Sequence, residues 1–166
     1  MFEKHADPRE VLLFPGRMPD SHRYTAGLAG ERFFRALKER GVFLATRCDT
    51  CGVTYCPARA FCERCLGPLP DQEVEAGPAG TLESFTVVHV GLDGERLDPP
   101  VTIGLVRLDG ADTLLAHRIG GAAGEALSAS GRAGLRIGMR VEAVFEELVR
   151  RRAHLDDVRC FRPLAG

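Results

Sequence analysis

The sequence predicts a mainly β fold with N-terminal helices, in which a small metal-bound ribbon precedes a five-stranded barrel of the OB type. Three observations predict it. Two Cys-x2-Cys pairs, Cys48/Cys51 and Cys62/Cys65, are separated by ten residues. Five runs with strand character follow, with one long connection before the fourth. Ahead of the cysteines, residues 28–40 carry apolar side chains at helical spacing.

The elements follow in chain order. Asp7-Pro8-Arg9-Glu10 has the form of a helix start, with Asp7 as N-cap, Pro8 at the first position and Glu10 reaching back. Pro15-Gly16 keeps that helix short. A second helix is expected over residues 28–40. Phe33, Phe34 and Leu37 share one face there, Glu31, Arg35 and Glu39 form a charged ladder beside them, and Gly41 supplies a C-cap. Val42-Phe43-Leu44-Ala45-Thr46 reads as a strand leading into the cysteines. Gly67-Pro68-Leu69-Pro70 closes the cysteine zone, and Gly77-Pro78 marks the join to the next. Residues 81–91, 101–109 and 113–119 are strands, the last two joined by the turn Gly110-Ala111-Asp112. Residues 120–134 are rich in Gly, Ala and Ser. In residues 137–149, Met139, Val141, Ala143 and Phe145 face one way and Arg140, Glu142 and Glu146 the other, the period of a half-buried strand. Residues 158–162 form a short last strand. Five strands with a long connection before the fourth fit a small Greek-key barrel. The chain divides into an N-terminal helical arm (1–41), a ribbon (42–76) and a barrel domain (77–166).

Size and composition narrow the function classes. The 166 residues suffice for one ordinary domain, or for two small ones if something besides a core holds one together. Hydrophobic residues at 45% and charged residues at 27% are ordinary for a globular protein. The net charge is −1, Trp is absent and aromatics are 7%, which argues against a protein that grips nucleic-acid phosphates and stacks bases. The first residues contain no apolar stretch of signal-peptide length, and no segment approaches the roughly 18 apolar residues of a membrane helix. A cytoplasmic location is expected. In that reducing setting the six cysteines read as metal ligands or buried thiols before disulfides.

The doubled Cys-x2-Cys carries the sharpest chemistry. Two cysteines three apart can bend around one ion as a knuckle, and Gly52 gives the first knuckle the open backbone such a turn wants. Two knuckles brought together by a hairpin place four thiolates in the tetrahedron that zinc favours. Cys48, Cys51, Cys62 and Cys65 are therefore the expected zinc ligands. Four thiolates leave no position for water, so this zinc is structural. It lets a zone too small for its own core fold. Metal-free buried or redox thiols, and iron in place of zinc, are the alternatives. Cys56, inside the loop, and Cys160, in the last strand, read as packing residues.

Other signals are weaker. Ser84 and His89 are five residues apart on one strand, which turns them to opposite faces and argues against a dyad. His89 and His117 read as strand-end or rim residues. Arg150-Arg151-Arg152 with His154 reads as a solvated loop, offset by Asp156-Asp157, though an anion such as a coenzyme phosphate is a possible ligand. The Gly-rich stretch from Gly120 lacks the Lys-Ser/Thr of a phosphate loop. No nucleophile, general base or open metal site emerges.

Several of these stretches resemble one family. The run from Cys51 to Cys62, Cys-Gly-Val-Thr-Tyr-Cys-Pro-Ala-Arg-Ala-Phe-Cys, is similar to the pattern C-G-x-x-x-F-P-P-R-x-x-C. Residues 80–89 resemble its first barrel strand, residues 137–147 and Phe161-Arg162-Pro163 its closing strands, and Arg32-Phe33-Phe34-Arg35-Ala36-Leu37 its upstream helix. This is the DUF35 family, a rubredoxin-like zinc ribbon followed by an acyl-CoA-associated OB-fold. Cys56 stands where the pattern has an aromatic residue, and Ala58 where it has a second proline. The likeness covers most of the chain beyond about residue 26.

The resemblance implies a function that composition does not. Members are typically small, non-catalytic partner subunits of thiolase-like enzymes that act on coenzyme A thioesters. It implies a hetero-oligomer in which this chain braces a catalytic subunit and helps form the acyl-CoA site. A β-ketoacyl-CoA thiolase such as benzoylsuccinyl-CoA thiolase is one example, and a steroid side-chain aldolase is an alternative. Arg59 and Phe61, on the ribbon loop, are then candidate interface residues. An alternative of another class is a zinc-ribbon/OB module that binds single-stranded nucleic acid.

Overall fold

The computed structural model describes residues 24–69 and 73–164. The helix expected from Asp7 lies outside the described residues. Helix α1 spans Gly27–Arg40 and buries Ala29, Phe33, Ala36 and Leu37; of the face read from the sequence, Phe33 and Leu37 are buried and Phe34 is half-buried. Gly41 ends it in the left-handed conformation (φ 67°), and its N–H bonds to the carbonyls of Ala36 and Leu37.

The first sheet has three antiparallel strands. β1 (Phe43–Arg47) lies between β2 (Thr54–Tyr55) and β3 (Glu73–Ala76). A closed barrel follows: β4 (Ala79–Val90), β5 (Arg96–Leu108), β6 (Leu114–Ile119), β7 (Arg140–Phe145) and β8 (Val158–Pro163), in the order β4-β5-β6-β8-β7. β7 pairs back onto β4, and β6 meets β8 in parallel at Ile119 and Phe161. This is the five-stranded Greek-key order expected of an OB barrel.

One core serves both parts. Phe33, Leu37, Phe43, Leu44 and Ala76 pack in the same cluster as Leu82, Val106, Val141 and Phe161. The Phe43 ring stacks on Phe161 with centroids 5.9 Å apart and meets Phe145 at 5.4 Å. The turn between β5 and β6 adds a polar lock. The Asp112 carboxylate accepts from Thr54 N–H at 2.8 Å. The Thr113 hydroxyl accepts from Cys56 N–H and donates to the Cys56 carbonyl, both at 2.8 Å. Gly104 on β5 marks close side-chain packing inside the barrel. A Cβ there would lie 2.6 Å from Ile119 and 2.7 Å from Leu82.

Several expectations are corrected. The strand expected over residues 137–149 stops at Phe145, because the chain turns where Glu146 N–H bonds to the Asp157 carbonyl and a short 3-10 turn, Leu148–Arg150, begins. His117 is not a rim residue. It is buried, its Nε2–H donates to the Val158 carbonyl at 2.6 Å, and its ring meets Phe161 edge-on. Arg151 is not simply solvated: it bonds the Glu146 carbonyl at 2.8 Å and lies 3.4 Å from the Leu37 and Lys38 carbonyls at the end of α1. Residues 120–134, read only as a biased stretch, contain the short helix α2 (Ala129–Ala133), capped by the Ser128 hydroxyl on Gly131 N–H.

Candidate metal centre

Two turns of near-identical hydrogen bonding present the four expected ligands. In the first, Gly52 N–H bonds to the Cys48 carbonyl at 2.7 Å and Cys48 N–H to the Val53 carbonyl at 2.8 Å. In the second, Leu66 N–H bonds to the Cys62 carbonyl and Cys62 N–H to the Gly67 carbonyl, both at 2.9 Å. β1 delivers the first turn, and the loop after β2 delivers the second. The paired turns bring the sulfurs of Cys48, Cys51, Cys62 and Cys65 within 4.8 Å of one another. Cys48 and Cys65 are 3.6 Å apart. A zinc–thiolate tetrahedron with bonds of about 2.3 Å has edges of about 3.8 Å, so the four sulfurs fit that ion.

Cys48 and Cys62 are buried, Cys51 is half-buried and Cys65 is exposed. Val53, Tyr55 and Leu69 pack around them as a small apolar shell, separate from the main core. The sulfurs receive compensating donors. Cys51 N–H points at Cys48 Sγ at 3.4 Å, and the Tyr55 hydroxyl lies 3.3 Å from Cys62 Sγ. A metal-bound thiolate accepts only, so Tyr55 donates, while its oxygen accepts from Glu63 N–H at 3.2 Å. The metal-free thiols respond unequally. The Tyr55 hydroxyl, with the N–H groups of Cys65 and Arg64, brings Cys62 down to about 6. Burial and the neighbouring thiols push Cys51 up to about 12.

Tyr55 escaped the sequence reading as a site residue. The signal for it was the single aromatic hydroxyl between the knuckles. Leu66 escaped as well: it occupies the position equivalent to Gly52, in the same left-handed conformation (φ 57°). Cys56 is buried in the main core and is not among the four clustered thiols. Cys160 is buried, with burial pushing its thiol up, and lies 3.5 Å from the Gly121 carbonyl.

Ser84 and His89 are both exposed on β4. Arg59 is engaged within the ribbon: its guanidinium lies 5.2 Å from the Tyr55 ring and pairs with Glu63. Its backbone is held by buried Thr46, whose hydroxyl accepts from Arg59 N–H at 2.9 Å. Phe61 is exposed beside the second knuckle. Among the described residues no helix is long and apolar enough to cross a membrane.

Comparison with known proteins agrees with this architecture. Residues 35–70 match the family described as ChsH2, rubredoxin-like zinc ribbon domain, and residues 73–146 match ChsH2, C-terminal OB-fold domain. A DUF35 domain-containing scaffold protein of Methanocaldococcus jannaschii is 30% identical over 117 residues, which cover 70% of this chain and 77% of that protein. Two solved structures share the fold at 24% identity. One is a DUF35-family protein of unknown function from Sulfolobus solfataricus (TM-score 0.57, covering 82% of this chain and 84% of that chain). The other is described as the Ltp2-ChsH2(DUF35) aldolase (TM-score 0.58, covering 85% and 98%).

Proposed function

This chain belongs to the DUF35 family, and on that premise we propose that it is a non-catalytic accessory subunit of a two-component enzyme acting on acyl-CoA thioesters. One observation carries the reading: a relative 30% identical over most of both chains is described as a scaffold protein. The chemistry of the ribbon agrees with it. A closed four-thiolate site holds structure and has no open position for a substrate. When bound, the metal supplies cross-linking of the two knuckles. The four cysteines hold it, and Tyr55 orients Cys62.

The catalytic groups belong to the partner, a thiolase-like subunit of the thiolase, acyltransferase or aldolase type. Arg59 and Phe61 lie toward that partner, and the divisions at residues 42 and 77 separate arm, ribbon and barrel. An open cleft of about 690 Å³ lies beside α1. Leu28 and Phe34 give it apolar lining, and its cations Arg35 and Lys38 are matched by Glu31 and Glu39, so the lining carries no net charge.

The test is a pull-down of the tagged chain from its native cells, followed by assay of the recovered material on β-ketoacyl-CoA thioesters. Recovery of a stoichiometric thiolase-like subunit, with activity that neither protein has alone, is the expected result. Cleavage of the thioester by the isolated chain would overturn the reading, as would recovery of nucleic acid in place of a protein partner.

A further inference from the structure

The two knuckles form an internal comparison. Their backbone hydrogen bonds match pair for pair, and each places the residue after its second cysteine in the left-handed region: Gly52 at φ 69° and Leu66 at φ 57°. In that region a Cβ crowds the following carbonyl, so glycine is the residue the turn itself asks for. The first knuckle has it. The second carries leucine, and that side chain is 78% exposed. The isolated chain therefore bears two costs at Leu66, a strained backbone and an apolar side chain in water. Strain at an exposed apolar residue is a motive for a functional contact there.

Phe61 is a second exposed apolar residue, without the backbone strain. It precedes the same knuckle and is 63% exposed. Both are held rigidly. Phe61 bridges to Pro68, Leu69 N–H bonds to the Ala60 carbonyl at 2.7 Å, and Cys62 N–H bonds to the Gly67 carbonyl. Side chains presented on a fixed turn lose little entropy when they are captured.

We propose that Leu66 and Phe61 are paired apolar anchors that seat in an apolar pocket of the catalytic partner subunit. This rests on the accessory-subunit reading above and adds the surface through which it works. Area argues for a larger partner over a second copy of this chain. The two side chains offer on the order of 300 Å². A twofold pair of such tips would bury about 600 Å², short of the roughly 1,000 Å² that a stable interface clears. Within a wider contact, two fixed apolar residues are enough to act as hot spots.

The test exploits opposite signs. Leu66→Gly removes the strain and the side chain together, so the free chain should keep its zinc content and melt no lower than the parent. Leu66→Asn tolerates the same conformation with a polar side chain and serves as a second variant. Each is titrated against the purified thiolase-like subunit. The expected result is at least a tenfold loss of affinity for both variants, with Leu66→Met retaining binding. Parent-like affinity in Leu66→Gly would overturn the anchor while leaving the subunit reading intact. A parent chain that binds no thiolase-like subunit would overturn both. A dimer of the parent that Leu66→Gly dissolves would assign the surface to a second copy and overturn the partner assignment.

Discussion

His117 lies in the barrel wall with its Nε2–H on the Val158 carbonyl, which fixes the Nε2–H tautomer whenever the ring is neutral. Burial strips water from the imidazolium and lowers the proton affinity of this residue, and nearby Arg118 adds to the effect. The Val158 carbonyl and Asp156 oppose it in part. The sign follows directly. An unfolded chain takes up this proton near pH ~6.5, while the fold resists it. Below that pH the unfolded state binds more protons, and stability falls as the pH drops. The stability is fully present above the unfolded value and lost as the pH falls toward the depressed folded one. Melting temperatures of the parent should therefore fall between pH 7.5 and 5 more steeply than those of His117→Gln, which keeps an N–H donor. Parallel curves would remove His117 as the cause. The position of this residue was not legible in the sequence, because a histidine in an alternating strand fits either face.

At the scale of elements, α1 and its cap were readable to within a residue. Helical periodicity and a glycine stop are local signals, and the structure kept both. What fastens the end of α1 was not readable. Arg151, 110 or more residues away in sequence, approaches the Leu37 and Lys38 carbonyls and lays its guanidinium 5.4 Å from the Phe145 ring. A cation at a helix C-terminus complements the carbonyl end of the helix dipole. Arg151→Ala should cost about 1–2 kcal/mol, a fall of roughly 3–6 °C in melting temperature. Hydrogen exchange should quicken chiefly in the last turn of α1. An unchanged last turn would show that Arg151 acts only by packing on Phe145. β5 carries a related lesson. It begins at Arg96, ahead of the expected residue 101, although it contains Pro99-Pro100. β6 pairs with β5 only from Thr102 onward, so beside the prolines that edge has no strand and no ladder bond is lost.

Across the whole molecule, ribbon and barrel stand on a common core. β1 contributes Phe43 to the aromatic stack with Phe161, and the β5–β6 turn holds β2 through Asp112 and Thr113. Loss of the metal is therefore felt beyond the knuckles. Chelation under reducing conditions should lower the melting temperature of the whole chain by roughly 5–10 °C, in one transition followed by both circular dichroism and barrel side-chain signals. A barrel transition unmoved by chelation would show that the two parts fold independently.

The sequence by itself determined what depends on local pattern and spacing. Two Cys-x2-Cys pairs singled out the four cysteines that the fold brings together, because a knuckle is closed within five residues by its own backbone. Alternation and turn residues named the strands of the barrel. Only the tertiary structure decided what depends on closure. The parallel meeting of β6 and β8, the burial of His117, the Tyr55 hydroxyl on Cys62 and the reach of Arg151 to α1 each join residues whose neighbours in sequence carry no sign of one another. Leu66 stands between the two. Its letter alone reads as an ordinary loop leucine. The matched hydrogen bonds of two folded knuckles are needed to see that it occupies a glycine's place.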